Sequence, residues 1–435
     1  TAGYVQCLTF LIIPMVENLS PIQPYGPDCE DHLPVVPQIQ VTRNCNLACG
    51  YCFLEHSGGI IDLSTVETIL RRVIAHNLSV DPLNKLIQVY WHGGEPLLAG
   101  LEFFHAVIRL EAQYPELSFE NRIQTNGTLM SDDMARLLAE HQFQVGFSLD
   151  GPQDIHDRYR RFRGSQTGSF EAAMRGIDCY RAHAMADRLA VIAVVTRTGI
   201  GRAADLFEFF KELRAVVQLD IYDVRWLDLI PKAGEVSELS DLAPRPEEVG
   251  RFLIELFDLW FWDQSGQVDF SELRQEVKMA LQPELDLGDP FHKKRCDFRR
   301  LIFAPNGKAF SCDQWVNDDQ TALGDIHQDS LATILTHKDV LWEQIKQRFR
   351  RSGKHMACGS CEWGRQCGGG CFTCMKYNAM LLAARAAGLP DNRWAAAVLP
   401  PAWDEIRGET YFCEGLRAFR RHLREVVRRE IANAG

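Results

Sequence analysis

The chain has 435 residues, 46% hydrophobic and 24% charged, which is enough for one large α/β domain and a smaller module. Its formal charge of −11 lacks the basic footprint of a nucleic-acid binder, so no nucleic-acid partner is expected. The apolar run Cys7–Val16 is short, broken by Pro14 and preceded by no Lys or Arg, so neither a membrane span nor a signal peptide is expected and the protein is read as cytoplasmic.

The first 37 residues carry Pro14, Pro21, Pro24, Pro27, Pro34 and Pro37 and read as an irregular extension. A regular alternation follows. Gln38–Thr42 predicts a strand and Leu63–His76 a helix; Leu86–Trp91 and Leu101–Gln113 repeat the pair. Phe119–Thr125 with Asp132–His141, Gln144–Leu149 with Phe170–His183, and Leu189–Thr196 with Ala203–Leu213 continue it, and Leu219–Ile230 predicts a sixth strand. Strands alternating with helices of this length imply right-handed βαβ units and a parallel sheet. Six units fall short of the eight of a closed barrel, so the expected fold is α/β, a partial (β/α)6 barrel. The expected divisions are 1–37 as extension, 38–235 as barrel and 236–290 as a helical bridge; the Cys-rich module, 291–435, ends in an amphipathic helix.

Fourteen cysteines in a reducing compartment are poor candidates for disulfides, and ten fall into two compact patterns, which favours metal ligation. Cys45, Cys49 and Cys52 form a Cys-x3-Cys-x2-Cys loop after the first predicted strand. Three thiolates leave one iron of a [4Fe–4S] cubane open, whereas a structural zinc site needs a fourth ligand. The run Arg43-Asn44-Cys45-Asn46-Leu47-Ala48-Cys49-Gly50-Tyr51-Cys52-Phe53 resembles the signature of radical SAM enzymes, and Gly93-Gly94-Glu95-Pro96 resembles their cofactor-amino motif. The resemblance implies that the open iron chelates S-adenosylmethionine, whose reductive cleavage yields a 5′-deoxyadenosyl radical. It also implies cofactor contacts from Phe53, Gly93, Gly94, Glu95, Thr125, Asn126, Ser148 and Asp150, with Arg160 or Arg163 at the carboxylate. Glu95 is the carboxylate suited to an ammonium.

The second pattern is Cys296, Cys312, Cys358-x2-Cys361-x5-Cys367-x3-Cys371 and Cys413, with Gly307 between the first two. It resembles the SPASM module of radical SAM enzymes, which implies two auxiliary [4Fe–4S] clusters; a zinc ribbon is the alternative for Cys358-x2-Cys361 alone. By the family's interleaved pattern Cys296, Cys312 and Cys371 hold the first, and Cys358, Cys361, Cys367 and Cys413 the second. Residues 280–295 contain no cysteine, so the first cluster is expected to have an open iron or another ligand, with Cys374 a spare candidate.

Ala99-Gly100-Leu101-Glu102-Phe103-Phe104, Ser148-Leu149-Asp150-Gly151-Pro152, Cys312-Asp313 and Tyr411-Phe412-Cys413-Glu414-Gly415 resemble anaerobic sulfatase-maturing enzymes, which oxidise Cys or Ser to formylglycine. That likeness makes Asp313 the candidate general base. Trp91-His92 before the glycines, and the missing upstream cysteine, resemble instead maturases of ribosomally made peptides (RiPP maturases). The first expectation is therefore a peptide maturase that crosslinks or oxidises side chains. Formylglycine formation is the alternative, and a non-catalytic Fe–S carrier is the reading from another class. The implied partners are a peptide or protein substrate and an electron donor such as flavodoxin or ferredoxin.

Overall fold

A computed structural model describes residues 34–184, 187–222, 242–282, 300–352 (side chains only to 341), 361–363, 367 and 412–434. The alternation expected from the sequence is present. It comprises β1 (Val36–Thr42), α1 (Leu63–Val80), β2 (Leu86–Gly93), α2 (Leu101–Glu111), β3 (Ser118–Thr125), α3 (Asp132–Glu140) and β4 (Gln144–Ser148). After these come α4 (Gln153–Tyr159), α5 (Phe170–His183), β5 (Leu189–Val195), α6 (Ala203–Glu212) and β6 (Ala215–Ile221). β1 to β6 pair in parallel in chain order, as an open barrel-like sheet.

β2, β3 and β4 alternate between buried and more exposed positions, and β1 alternates apolar and polar residues from Gln38. Ile39 and Val41, Ile87, Val89 and Trp91, Val145 and Phe147 enter the core beneath the helices. Each is nearly or wholly buried. α1 meets them with Val66, Ile69, Leu70, Val73 and Ile74, and its Asn77 side chain brackets Val35, accepting from N at 2.7 Å and donating to O at 2.9 Å. Trp91 stacks edge-on against Phe103 and Phe104 and donates to Asn121 Oδ1 at 2.7 Å. Each such ring pair is worth about 0.5–1.5 kcal/mol beyond its buried area. On β1 to β4 the intervening positions make the other face largely polar. There Gln38, Tyr90, Arg122, Gln124, Ser148 and Arg300 interact across strands: Arg122 Nη1 donates to Tyr90 OH at 2.6 Å, and Gln124 Nε2 donates to Ser148 Oγ at 2.9 Å. A polar inner face is unusual for a parallel sheet, whose strands normally read as continuous apolar runs.

The sheet is longer than six strands. β6 begins at Ala215, four residues before the expected start, because Arg214 turns the chain in a left-handed conformation (φ 49°) directly after α6; the end of the expected strand, from 223, lies outside the described residues. α7 (Pro246–Trp262) is followed by β7 (Asp269–Phe270), a short seventh parallel strand beside β6, and by α8 (Ser271–Leu281). At the opposite edge, β8 (Arg300–Phe303) pairs parallel with β1, and β9 (Lys308–Phe310) and β10 (Gly324–Asp325) follow antiparallel. The order is β10-β9-β8-β1-β2-β3-β4-β5-β6-β7. The Cys-rich region therefore begins as an extension of the barrel sheet.

α9 (Leu331–Ser352) packs near α1, and α10 (Cys413–Ala434) crosses α7 with backbones in contact. A Cβ on Gly415 would sit 1.9 Å from Pro246 O, so only glycine permits the approach. Phe257 meets Phe419, and Arg420 pairs twice with Glu276 of α8 at 2.7 and 2.9 Å, both side chains 3% exposed. Among the described residues no helix is long and apolar enough to cross a membrane.

Candidate functional site

The loop between β1 and α1 carries Cys45, Cys49 and Cys52, and it lies at the C-terminal ends of the strands, where parallel α/β folds gather their active groups. Its entry is laced to the β2 loop. Gly94 N donates to Thr42 O at 2.7 Å and Glu95 N to Asn44 O at 2.9 Å. A Cβ on Gly93 would meet Thr42 O at 2.2 Å, and one on Gly94 would meet Asn44 O at 2.1 Å. The paired glycines are thus explained by backbone contact immediately ahead of Cys45.

Glu95 is fully buried. Its carboxylate accepts from Leu97 N (2.9 Å), Thr125 Oγ1 (2.7 Å) and Asn126 N (2.7 Å), which joins the β2 and β3 loops. Burial pushes its carboxyl up to about 7 against the pull of these donors. Asn126 then reaches the cysteine loop itself, donating to Asn46 Oδ1 at 2.9 Å and approaching Cys45 Sγ at 3.6 Å, while Thr128 ties Asn46 and Asn126 together.

The far side of the loop is held by residues 159–163. Gly50 N donates to Tyr159 O, Ala48 N to Arg161 O, and Arg163 N to Asn46 O, all within 2.8–2.9 Å, as a short antiparallel bridge. Arg163 Nε donates to Cys45 O at 3.0 Å, and its guanidinium contacts His56. Arg160 is buried, donating to Asp150 Oδ2 at 2.9 Å, and its guanidinium lies 5.4 Å from the Tyr51 ring centre. Tyr51 OH donates to the same carboxylate, whose other oxygen accepts from Val194 N at 3.0 Å. Asp150, Arg160 and Arg163 are therefore engaged in fixing the loop, and Ser148 accepts from Gln124 beside it.

The three thiols are half-buried, outside any disulfide, and close enough to influence each other's charge. Burial pushes Cys45 and Cys49 up to about 12 and Cys52 upward, with the Arg160 guanidinium opposing the shift at Cys49. Bare thiolates are thus disfavoured here, and the cationic irons of a cluster would supply the charge that stabilises them. As a donor set for three irons the loop fits. Among the described residues, no three His, Cys, Asp or Glu side chains close round a point suited to one metal ion.

Asp313 follows half-buried Cys312 directly after β9, and it faces His92 at the end of β2, whose imidazole burial lowers while Asp313 opposes the shift and Arg300 adds to it. Phe53 O accepts from Asn317 Nδ2 at 2.6 Å. Cys361, Cys367 and Cys413 lie outside any disulfide; Cys413 opens α10, and the Cys361–Trp363 turn docks on that helix, with the Arg424 guanidinium 3.7 Å from the Trp363 ring centre. Cys296, Cys358, Cys371 and Cys374 lie outside the described residues. Sequence reasoning assigned nothing to Tyr51, Asn46, His56 or Asn317. Tyr51 and Asn46 lie inside the quoted motif, whereas nothing local marks Asn317.

Comparison with known proteins accords with this geometry. Residues 39–209 match the family model of the Radical SAM superfamily, and 295–367 match that of SPASM, an iron–sulfur cluster-binding domain. The chain is 31% identical over 336 residues to a serine-type anaerobic sulfatase-maturating enzyme of Klebsiella aerogenes, covering 75% of this chain and 76% of that one. It is 28% identical over 349 residues to a cysteine-type enzyme of Clostridium perfringens, covering 77% and 87%. The solved structure of native anSMEcpe with bound AdoMet and a peptide superposes with a TM-score of 0.72 over 93% of this chain and all of that one, at 23% identity. Streptococcus suis SuiB bound to its precursor peptide SuiA gives 0.54 at 17% identity, over 79% and 73%. Both structural likenesses speak to the fold. The two matched domains imply binding of S-adenosylmethionine and of iron–sulfur clusters. The chain is a radical SAM enzyme: it belongs to the radical SAM superfamily, carries a C-terminal SPASM domain and is a relative of the anaerobic sulfatase-maturating enzymes.

Proposed function

We propose that this enzyme acts on a peptide or protein and oxidises a serine or cysteine side chain to formylglycine. The observation that carries the reading is the similarity to sulfatase-maturating relatives over three quarters of the chain. It reverses the order in which the motifs alone put the two peptide-modifying readings. Cys45, Cys49 and Cys52 would hold the cluster that binds S-adenosylmethionine, and the bound pair supplies a radical able to take hydrogen from an unactivated C–H bond. Asn126, Arg160 and Arg163 orient the loop, and the polar inner face of the barrel receives the substrate. Cys296, Cys312 and Cys371, and Cys358, Cys361, Cys367 and Cys413, are the proposed ligands of two auxiliary clusters, which would accept the electron given up by the oxidised substrate, while a flavodoxin or ferredoxin would supply the electron for S-adenosylmethionine cleavage at the Cys45, Cys49 and Cys52 site. Asp313 takes the proton that leaves as the substrate is oxidised. A crosslinking peptide maturase is the second reading, favoured by Trp91-His92 and by the absence of cysteine from 280–295.

The test is mass spectrometry of a Cys/Ser-x-Pro-x-Arg peptide incubated anaerobically with the reduced, reconstituted protein and S-adenosylmethionine. The serine peptide should lose two hydrogens and react with a hydrazide. S-adenosylmethionine cleavage without an aldehyde would turn the choice to the second reading. Asp313→Asn should leave cleavage intact and suppress the aldehyde; a normal aldehyde yield removes Asp313 from the mechanism.

A further inference from the structure

We infer that Asn317 is a positioning residue that locks the auxiliary module onto the radical-generating loop and thereby fixes the limb carrying Cys52. The inference rests on the proposed roles of the two cysteine sets. Asn317 lies at the end of two consecutive turns that start at Cys312, with Trp315 N donating to Cys312 O and Asp318 N to Trp315 O, each at 3.1 Å. Its side chain then crosses to the cysteine loop, 264 residues away in sequence. Nδ2 donates to Phe53 O at 2.6 Å, while Oδ1 accepts from Arg43 Nη2 at 2.6 Å and from Glu55 N at 3.1 Å.

One carboxamide thus holds both limbs of the loop, the residue two before Cys45 and the residues just after Cys52. Only a side chain with a donor and an acceptor on the same planar group meets all three partners. Beneath it, Leu54 of the loop packs with Ile302, Phe310 and Val316 in a small apolar cluster of its own, so the contact excludes water on that side.

The consequence is that the position of Cys52 depends on the module that carries Cys312. The experiment uses full-length, anaerobically reconstituted protein with dithionite and S-adenosylmethionine, without peptide. It reads iron per chain, kcat and KM for 5′-deoxyadenosine formation, and the electron paramagnetic resonance signal of the reduced cluster with and without cofactor. Asn317→Ala should keep wild-type iron but raise the KM for S-adenosylmethionine and lower kcat/KM about tenfold, with an altered signal in the cofactor-bound state. Asn317→Asp keeps the acceptor for Arg43 and Glu55 N and should recover part of that loss. Wild-type kcat/KM and an unchanged signal in Asn317→Ala at equal iron overturn the inference, as does an Asn317→Asp protein no better than the alanine. Should Asn317→Ala not load iron, Arg43→Gln removes the guanidinium arm and carries the same expectation at smaller amplitude; an unchanged KM there overturns it. Failure of the wild-type protein to form 5′-deoxyadenosine is a separate outcome that defeats the proposed function instead.

Discussion

Replacing Gly94 by alanine is the sharpest test of how the cysteine loop is held. The added methyl would lie 2.1 Å from Asn44 O, 2.6 Å from Asn44 C and 2.7 Å from Arg43 O, and all three are backbone atoms without a rotamer to relieve the clash. Relief needs a displacement of about 1 Å between the β2 loop and the segment entering Cys45, since interiors are packed too tightly to absorb it. That displacement stretches the Gly94 N to Thr42 O and Glu95 N to Asn44 O bonds. Each bond is worth about 1 kcal/mol, and overpacking adds about 1–3 kcal/mol, so the cost is roughly 3–5 kcal/mol. A domain near the middle of the usual range, about 10 kcal/mol, survives that loss, so the variant should still fold. Its chemistry should not survive, because a misplacement of about 1 Å lowers a rate on the order of a hundredfold. The assay pairs a denaturant titration with 5′-deoxyadenosine formation at measured iron content. Gly59→Ala, a position with nothing within 4 Å of the new methyl, is the matched control. Wild-type cleavage by Gly94→Ala would refute the geometry.

Replacing Cys45, Cys49 and Cys52 together with Ala should abolish 5′-deoxyadenosine while iron falls from about twelve to about eight per chain, one cubane's worth; cleavage that persists defeats the central assignment. Glu272 gives a pH test of the fold. It is buried, accepts from Leu219 N at 2.9 Å, and burial raises its carboxyl to about 7 from 4.5. Below pH 4.5 both folded and unfolded chains keep the proton and no penalty exists. Between 4.5 and 7 only the unfolded chain ionises, and stability falls as pH rises until the full penalty of about 3 kcal/mol is reached. Glu272→Gln should therefore gain about 2–3 kcal/mol relative to wild type between pH 5 and pH 8 by chemical denaturation. A difference that stays flat across that range refutes the burial argument.

The regular part of the barrel was legible because its strands either alternate, as β2 to β4 do, or form a short β-branched apolar run, as β5 does, and its helices present an apolar face, all local patterns. What local pattern does not carry is partnership across the chain. β7 has two residues and no periodicity to detect, and β8 joins β1 only because residues 264 positions apart in sequence share a register, Val36 with Arg300. At the site, the cysteine spacing named the loop and the glycine pair named its neighbour. The reason for the glycines emerged only from their contact with Thr42 and Asn44. Arg160 or Arg163 was expected at a cofactor carboxylate; in the structure Arg160 bonds Asp150 and Arg163 bonds the carbonyl of Cys45, contacts that the motif does not announce. A lone Asn317 in a polar stretch carries no signal at all, since its three partners lie in Arg43, Phe53 and Glu55.

The pairing of β8 with β1 bears on how this enzyme admits and releases what it works on. Two modules connected by a linker can swing apart, whereas two modules that share adjacent strands are welded along a seam. Parting this seam would break the Val36–Ile39 ladder at about 1 kcal/mol per bond and expose Leu54 and Ile302 to water. The strands at 300–310 therefore cannot swing away from β1 as a hinged flap would, and this edge of the auxiliary region stands as part of the barrel's own floor.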